Sequence, residues 1–293
     1  MTINKILIFF TLLTPGYCHA FPDTTGNEPV MINSSKQEDI ASASPEKMYK
    51  LHYAVDLPVV AVGVGWCGYA FGKIYDKPNS SVDDIRQLDK NKINSLDRWA
   101  AGKYSDKAAA TSDMFFYGSM PLPALLLIDK KIRRDAPKVG FLYLEAMAVT
   151  GLLYTGCDYF IDRYRPEAYR ADIGPENLTS GNNRNAFFAG HVALVGTSTF
   201  FIAKVYHDYH PGSTLSYFLW GGAIAATGAT VYLRHAAGKH FPTDLAVGTA
   251  IGVLSGVMIP QLHKNKTFRK HGLGLAPAIM PDASYGFTMQ YRF

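Results

Sequence analysis

The chain has 293 residues, of which 48% are hydrophobic and only 18% charged, and its formal net charge at neutral pH is +5. A mean hydropathy close to zero is too polar for a chain that lies wholly in a membrane and too apolar for an ordinary soluble domain. The basic residues form no long block, so we do not expect a nucleic-acid partner.

The first 20 residues have the pattern of a secretory signal peptide. Lys5 supplies a short basic region, residues 6–13 an apolar stretch, and residues 18–20 a small-residue cleavage site. The apolar stretch is short for a membrane span, although an uncleaved anchor is the alternative. Residues 21–54 are rich in polar residues without a sustained period, which predicts a flexible arm.

Six apolar windows follow, each near the roughly 20 residues that a membrane-spanning helix needs. Small residues recur in them, as is typical of helices that pack closely in a bilayer. A large soluble bundle is the alternative, and six successive windows argue against it. We therefore predict an all-α fold, a membrane helical bundle of five to six helices over residues 55–262. The windows are Val55–Ile74, Met114–Ile128, Val139–Phe160, Phe187–Tyr206, Tyr217–Leu233 and Pro242–Ile259.

The tail, residues 263–293, has a different pattern. From Tyr285 onward, apolar residues alternate with polar residues or glycine, and a period of two indicates a strand. Residues 272–280 can pair with it, which predicts a short C-terminal β-hairpin. One hairpin cannot form a closed barrel.

Charged and polar residues at the ends of apolar windows suggest a functional site. Arg163 and Arg165 follow the third window, where two guanidiniums can bind a phosphate. Arginines that anchor a helix end are the alternative. Gly190 and His191 open the fourth window, where a helix start offers free N–H groups to an anion and His191 can donate a proton.

The third cluster is the most specific. Arg234 closes the fifth window, His240 follows six residues later, and Asp244 lies four residues beyond His240. Asp244 could hold one nitrogen of His240 and leave the other free to attack, as the carboxylates of catalytic triads do. Arg234 would then neutralise charge on a transferring phosphoryl group.

These clusters resemble the three motifs of the type 2 phosphatidic acid phosphatase family, which is related to bacterial acid phosphatases and vanadium haloperoxidases. The motifs are Lys, six residues, then Arg-Pro; Pro-Ser-Gly-His; and Ser-Arg, five residues, His, three residues, Asp. The similarity covers roughly residues 110–260. The matching residues are Arg165 and Pro166, Gly190 and His191, and Arg234, His240 and Asp244.

The resemblance implies a phosphatase with a phosphohistidine intermediate. It makes His240 the nucleophile, Asp244 its orienting group and His191 the acid for the leaving oxygen. It assigns phosphate binding to Arg165, Arg234 and the backbone of Gly190.

The chain departs from the family pattern at several positions. Asp158 stands in place of the motif Lys, Phe188 and Ala189 in place of Pro and Ser, and Leu233 in place of Ser. Asp158 would repel a phosphate unless it pairs with Arg163 or faces elsewhere, and Arg163 could supply the missing charge. Because nucleophile, orienting group and acid remain, we predict an active enzyme. The alternatives are a catalytically impaired, lipid-phosphate-binding relative and a vanadate-dependent peroxidase, against which the missing Lys argues.

By resemblance, the substrate is a phosphate or pyrophosphate on a membrane lipid, and membrane lipids are the only other partners expected; the oligomeric state is not indicated. No metal or cofactor is predicted, because the ligand clusters of a metal phosphatase are absent from the sequence. Cys67 and Cys157 are interpreted as buried thiols rather than a disulfide. Glu145, inside the third window, forms a buried hydrogen bond or lines a substrate path.

All three motifs can lie on one membrane face, with basic residues 130–134 and 264–270 on the other. The positive-inside rule then favours a bacterial inner membrane protein with its active site facing the periplasm, over the outer membrane or the periplasm itself. A cleaved signal peptide conflicts with six full spans. The conflict disappears if residues 55–74 lie along the interface or pack on the bundle, which gives five spans and one helix that does not cross the membrane.

Overall fold

The computed structural model describes residues 47–265 together with two strands, Gly272–Ile279 and Tyr285–Arg292. The predicted signal peptide and most of the predicted arm lie outside the described residues. The described part contains eight α-helices and several short 3₁₀ helices. The α-helices are α1 Tyr53–Tyr75, α2 Val82–Arg86, α3 Asp106–Ser119, α4 Lys130–Arg133, α5 Ala136–Phe160, α6 Gly190–Tyr209, α7 Thr214–Ala236 and α8 Pro242–His263.

The predicted helical fold is confirmed, and each apolar window falls in helical structure. Five windows coincide with the long helices α1, α5, α6, α7 and α8. The window Met114–Ile128 is divided between the end of α3 and a 3₁₀ helix, Leu122–Ile128, because Pro121 and Pro123 cannot donate the backbone hydrogen bonds of a continuous α-helix.

Helix α6 is the centre of the bundle and packs most extensively against α8 and α7. Three glycines of α8, spaced four residues apart, lie directly against the α6 backbone, so that a Cβ at any of them would collide with a carbonyl group of α6 or the residue before it. Such a stripe of small residues lets two helix backbones approach closely, as in membrane helix pairs. The glycines are Gly248, Gly252 and Gly256.

Helix α1 packs lengthwise along α5 and runs in the same direction. Gly63 lies against Ala148, and Gly151 against the thiol of Cys67, one turn further along both helices. Residues 55–74 therefore pack on the bundle, one of the two expected arrangements, and the expected number of membrane spans stays a prediction. Cys67 and Cys157 are free thiols and only partly buried.

Three helices, α1, α5 and α8, are long and apolar enough to cross a membrane. Only 22% of the most apolar window of α1 and 33% of that of α8 are buried inside the protein. Large apolar side chains such as Met114, Tyr217 and Phe218 are also exposed on α3 and α7. Exposed apolar surface of this extent is typical of lipid contact and supports membrane association.

The two strands form an antiparallel pair, β1 Gly272–Ile279 and β2 Tyr285–Arg292, with Gly272 opposite Arg292 and Ile279 opposite Tyr285. The connecting residues 280–284 lie outside the described residues. The hairpin as a whole therefore stays a prediction.

Candidate active site

The three sequence clusters meet at one end of the bundle, where α5 ends, α6 begins and α7 turns into α8. Nη2 of Arg234 lies 3.5 Å from Nε2 of His240. Arg165 and His191 are near enough to act electrostatically on His240. The structure thus brings together residues of three clusters that are distant from one another in the sequence.

His240 is almost completely buried, and its Nδ1 lies 2.7 Å from the carbonyl oxygen of Ala186. Nδ1–H donates to this carbonyl, which leaves the lone pair of Nε2 directed toward Arg234. Burial lowers the pKa of His240 well below its usual range, and the guanidiniums of Arg234 and Arg165 lower it further. The imidazole is therefore neutral near pH 7 and has a free nitrogen that can act as a nucleophile.

Asp244 does not hold His240, which corrects the predicted role. One carboxylate oxygen accepts from the N–H of Phe241 at 2.8 Å, and the other pairs with Arg163. Within the described part of the chain, no hydrogen bond joins Asp244 to His240. Asp244 is the third residue of α8, from which a carboxylate reaches the free N–H just before the helix, and the Ala186 carbonyl orients the imidazole instead.

Arg163 also differs from its predicted role in phosphate binding. Its guanidinium donates to Asp97 at 2.6 Å and pairs with Asp244, while the ring of Phe241 lies 4.8 Å from the guanidinium carbon. Asp97 is fully buried and also accepts from the N–H and hydroxyl of Thr243 at 3.0 and 2.6 Å. We call these residues, Asp97, Arg163, Thr243 and Asp244, the α8 anchor, because they fix the start of α8.

Burial acts to raise the pKa of Asp97, but hydrogen bonds from Thr243, Asn94 and Arg163 outweigh it and hold the pKa below the usual range. Asp97 is therefore ionised at neutral pH and offsets the charge of Arg163. Sequence reasoning missed Asp97, because it lies in a stretch of mixed charge that is typical of a solvated loop.

Arg165 and Arg234 are the cations directed into the site. Both are more than nine-tenths buried. Arg165 donates to the carbonyl of Asn185 at 3.3 Å, and Arg234 donates to the hydroxyl of Ser112 at 3.2 Å. Nε of Arg234 has no hydrogen-bond partner among the described residues. Buried guanidiniums with spare donors are suited to an anionic ligand such as phosphate.

Asp113, a residue of α3 that sequence reasoning also missed, contacts two of the predicted site residues. Its carboxylate oxygen lies 3.0 Å from Nε2 of His191 and 3.6 Å from Nη1 of Arg234. Its side chain is 47% exposed, so it can turn away at little cost. A carboxylate in contact with both groups marks a position where both can reach an anion.

Gly190 begins α6, so its N–H and those of the next residues have no partner within the helix and can face an anion. A Cβ at Gly190 would collide with the ring of Tyr154. Phe188, where the family has Pro, is a fully buried residue that also packs on Tyr154. Ala189, where the family has Ser, is completely buried against α8.

Asp158, where the family has Lys, is completely buried near the end of α5. Lys77 donates to the backbone carbonyl of Asp158 at 2.7 Å. The carboxylate of Asp158 is within electrostatic range of Arg165. The pairing of Asp158 with Arg163, which would have neutralised it, does not occur, because Arg163 is held in the α8 anchor.

Comparison with known proteins gives one match. Neither a curated protein nor a solved structure matches the chain. Residues 139–268 match the family model of the PAP2 superfamily, which in general comprises phosphatases. The matched range contains the residues of all three motifs, whereas Asp97 and Asp113 precede it. This match over residues 139–268 confirms the recognised resemblance to the type 2 phosphatidic acid phosphatase family.

Proposed function

We propose that the protein hydrolyses a phosphate or pyrophosphate monoester on a membrane lipid through a phosphohistidine on His240. The observation that carries the proposal is the buried, neutral His240, whose free Nε2 lies beside the guanidinium of Arg234. Phosphatase activity in general is what the superfamily supports.

The reaction has two steps. Nε2 of His240 attacks phosphorus, the bond to the lipid oxygen breaks, and His191 gives that oxygen a proton. A water molecule, which loses a proton to His191, then attacks the phosphohistidine and releases inorganic phosphate. Arg165, Arg234 and the N–H groups at the start of α6 stabilise the charge on the transferring group.

In this mechanism Asp244 and Arg163 are positioning residues. They fix the first turn of α8 through the α8 anchor, and His240 lies two residues before that helix. The carbonyl of Ala186 keeps the proton on Nδ1 of His240.

A catalytically impaired relative that binds lipid phosphates is the second candidate. The buried carboxylate of Asp158 near Arg165 and the loss of a hydroxyl at Ala189 favour it. A charge-assisted hydrogen bond contributes about 1.5 to 3 kcal/mol, so two lost contacts lower the rate by a few powers of ten.

Three candidate membrane spans and the exposed apolar side chains support a lipid substrate. Phosphatidic acid, phosphatidylglycerol phosphate, a polyprenyl pyrophosphate and lipid A all fit the proposed chemistry. Basic residues cluster at the end of the bundle opposite His240, which favours an inner membrane protein with a periplasmic active site. They are Lys130, Lys131, Arg133 and Arg134.

The proposed orientation also fixes the side of the membrane on which α1 begins. Tyr53, the first residue of α1, lies at the basic end, since α1 runs parallel to α5. If α1 crosses the membrane, a periplasmic active site places Tyr53 on the cytoplasmic face.

Thiol labelling in intact cells tests the orientation. In a chain without native cysteines, Asp172→Cys lies in an exposed loop at the active-site end and Arg133→Cys is exposed at the basic end. We expect a membrane-impermeant maleimide to label position 172 and not 133. The reverse pattern would place the active site in the cytoplasm.

Phosphate release from the four lipid classes, measured on detergent-purified protein, tests the activity. We expect release by the unaltered protein, inhibition by vanadate, and no release by His240→Ala. His235→Ala is the matched control, because His235 is a neighbouring histidine that interacts with Lys103 instead of the site. Release that survives in His240→Ala would refute the phosphohistidine mechanism.

A folded protein that releases no phosphate from any of the four lipids would favour the impaired relative. The Asp158→Lys and Ala189→Ser variants, made singly and together, then distinguish a lost activity from a binding function. Activity gained with these changes means that the departures from the family motifs removed turnover. No gain, together with binding of the lipid phosphate, means a binding protein.

A further inference from the structure

At the end of the bundle opposite His240, four metal-ligating side chains from three helices lie together. His52 immediately precedes α1, Asp56 is in its first turn, Glu145 is in α5, and His263 is the last residue of α8. Ligand atoms of His52, Asp56 and His263 all lie within 4.8 Å of one another. The side chains of Asp56, Glu145 and His263 are more than nine-tenths buried, whereas His52 is exposed.

The backbone holds these residues in place. The N–H of Lys50 donates to the carbonyl of His263 at 2.8 Å, so the segment before α1 is fixed to the end of α8. The N–H of His52 donates to Oδ2 of Asp56 at 2.5 Å. The other oxygen of Asp56 is left to face the cluster.

His263 has a fixed tautomer. Its Nδ1 lies 2.8 Å from the carbonyl oxygen of Ile259, which accepts the Nδ1 hydrogen. Nε2 lies 3.2 Å from Oδ1 of Asp56 and 3.6 Å from Oε2 of Glu145. In a neutral imidazole these are three acceptor atoms directed at one another, an arrangement that requires a cation between them or a proton on Nε2.

Glu145 supplies an independent observation. Its Oε2 is buried and has no hydrogen-bond partner among the described residues, although it is directed at His263. A buried carboxylate oxygen without a donor is costly unless it binds a cation.

We propose that His52, Asp56, Glu145 and His263 form a binding site for a divalent transition-metal ion of the zinc class. Zinc binds His nitrogen and carboxylate oxygen at about 2.0 to 2.2 Å in a tetrahedron, which separates two ligand atoms by about 3.4 Å. The distances of 3.2 and 3.6 Å from Nε2 bracket that value. The Ile259 carbonyl is the outer partner that a metal-bound histidine requires.

The bound ion fixes α1 to α5 and α8 at the end remote from the proposed catalysis. Exposed His52 gives the ion a route from solvent and completes a set of four ligands. The proposal does not depend on the phosphatase activity.

Zinc titration of the full-length, tag-free chain in detergent, after removal of metal with a chelator, tests the site. We expect one ion per chain and a rise in the unfolding temperature. Co²⁺ in its place should give the absorption of a tetrahedral complex. Metal removal should leave phosphate release unchanged.

His52→Ala should weaken zinc binding by more than the roughly 10- to 100-fold typical of outer-shell changes, because it removes a direct ligand. This variant should fold, since His52 is exposed. Glu145→Gln should weaken binding similarly and keeps the side-chain shape. His210→Gln is the matched control, because His210 pairs with Asp129 at the same end and outside the cluster; it should bind zinc as the unaltered protein does.

Two results would overturn the proposal. If the unaltered chain binds neither zinc nor cobalt, His263 is a protonated partner of the two carboxylates and the cluster is an ion pair. If His52→Ala and Glu145→Gln bind zinc like the unaltered protein, the ion binds elsewhere.

Discussion

The two ends of the bundle use a buried histidine in the same way and surround it with opposite charge. Nδ1 of His240 donates to a backbone carbonyl at 2.7 Å, and Nδ1 of His263 does so at 2.8 Å. Nε2 of His240 lies beside the guanidinium of Arg234, whereas Nε2 of His263 faces the carboxylates of Asp56 and Glu145. At each end a backbone carbonyl fixes the histidine tautomer, and the charge of the neighbouring side chains determines whether Nε2 faces an anionic or a cationic ligand.

This difference has an energetic basis. A buried charge without a partner is costly, so each end favours a ligand whose charge is opposite to that of its buried side chains. The guanidiniums of Arg165 and Arg234 favour an anion, and the carboxylates around His263 favour a cation. If the ends are independent, each variant should change the readout of its own end alone.

The largest expected effect comes from removing a guanidinium at the anion-binding site around His240. Arg234→Gln should lower the rate of phosphate release by about 10²- to 10³-fold, because it removes charge stabilisation from the transferring group. Zinc affinity at the opposite end should not change. Equal losses at both ends would show that the variant disturbs the whole bundle.

The second effect concerns the α8 anchor. Asp97→Asn should lower the free energy of unfolding by about 2 kcal/mol, because it leaves Arg163 with one carboxylate fewer; the value is reduced from that of a fully buried pair, since Arg163 is 24% exposed. Denaturant unfolding in detergent measures the change. Asp83→Asn, which breaks the exposed pair with Arg86, is the control and should cost a few tenths of a kcal/mol. Equal losses of unfolding free energy in the two variants would show that the α8 anchor does not stabilise the start of α8.

The α8 anchor shows which parts of the site could be predicted from the sequence. Apolar windows and motif spacing are local, so the helices, the four residues at His240 and the family were accessible. Asp97 contacts Thr243, 146 residues later, and no local pattern reports such a pair. For the same reason Ala186, which orients His240 through its backbone, has no signature in its side chain.

The cluster at His263 was missed for a related reason. Metal sites are recognised in a sequence by short ligand spacings such as those of zinc fingers. Here the ligands come from the start of α1 with the residue before it, from α5 and from α8, so only the packing of these three helices brings them together. Glu145 and Asp56 are both acids inside apolar windows, and only Glu145, in the middle of its window, stood out as a signal.

The pH dependence of kcat/KM for phosphate release should reflect the lowered pKa of His240. Burial, Arg234 and Arg165 lower the pKa of His240, so the free enzyme keeps a neutral nucleophile well below pH 6.5. The acid limb of kcat/KM due to His240 should therefore lie well below pH 6.5. An ordinary histidine would already lose about tenfold one unit below its pKa.

The free energy of unfolding should also fall as the pH is lowered. The unfolded chain takes up a proton at His240 below about pH 6.5, whereas the folded chain does not, so this contribution is complete above that pH and is lost as pH falls below it. His240→Gln should flatten this part of the stability profile. A kcat/KM limb at the ordinary histidine pKa would contradict the buried neutral nucleophile.

The smallest expected effect tests the carboxylate that contacts both His191 and Arg234. A bound phosphate must displace Asp113, and Asp113→Asn removes the repulsion between the two negative groups while keeping a side chain of the same shape. Vanadate and substrate should bind about fivefold more tightly, since one charge at a half-exposed position contributes roughly 1 kcal/mol. Asp106→Asn, on the same helix but bonded to Tyr104, is the control and should change neither value. Weaker vanadate binding in Asp113→Asn would mean that Asp113 helps to hold the anion through His191, and that the position it marks is not where phosphate binds.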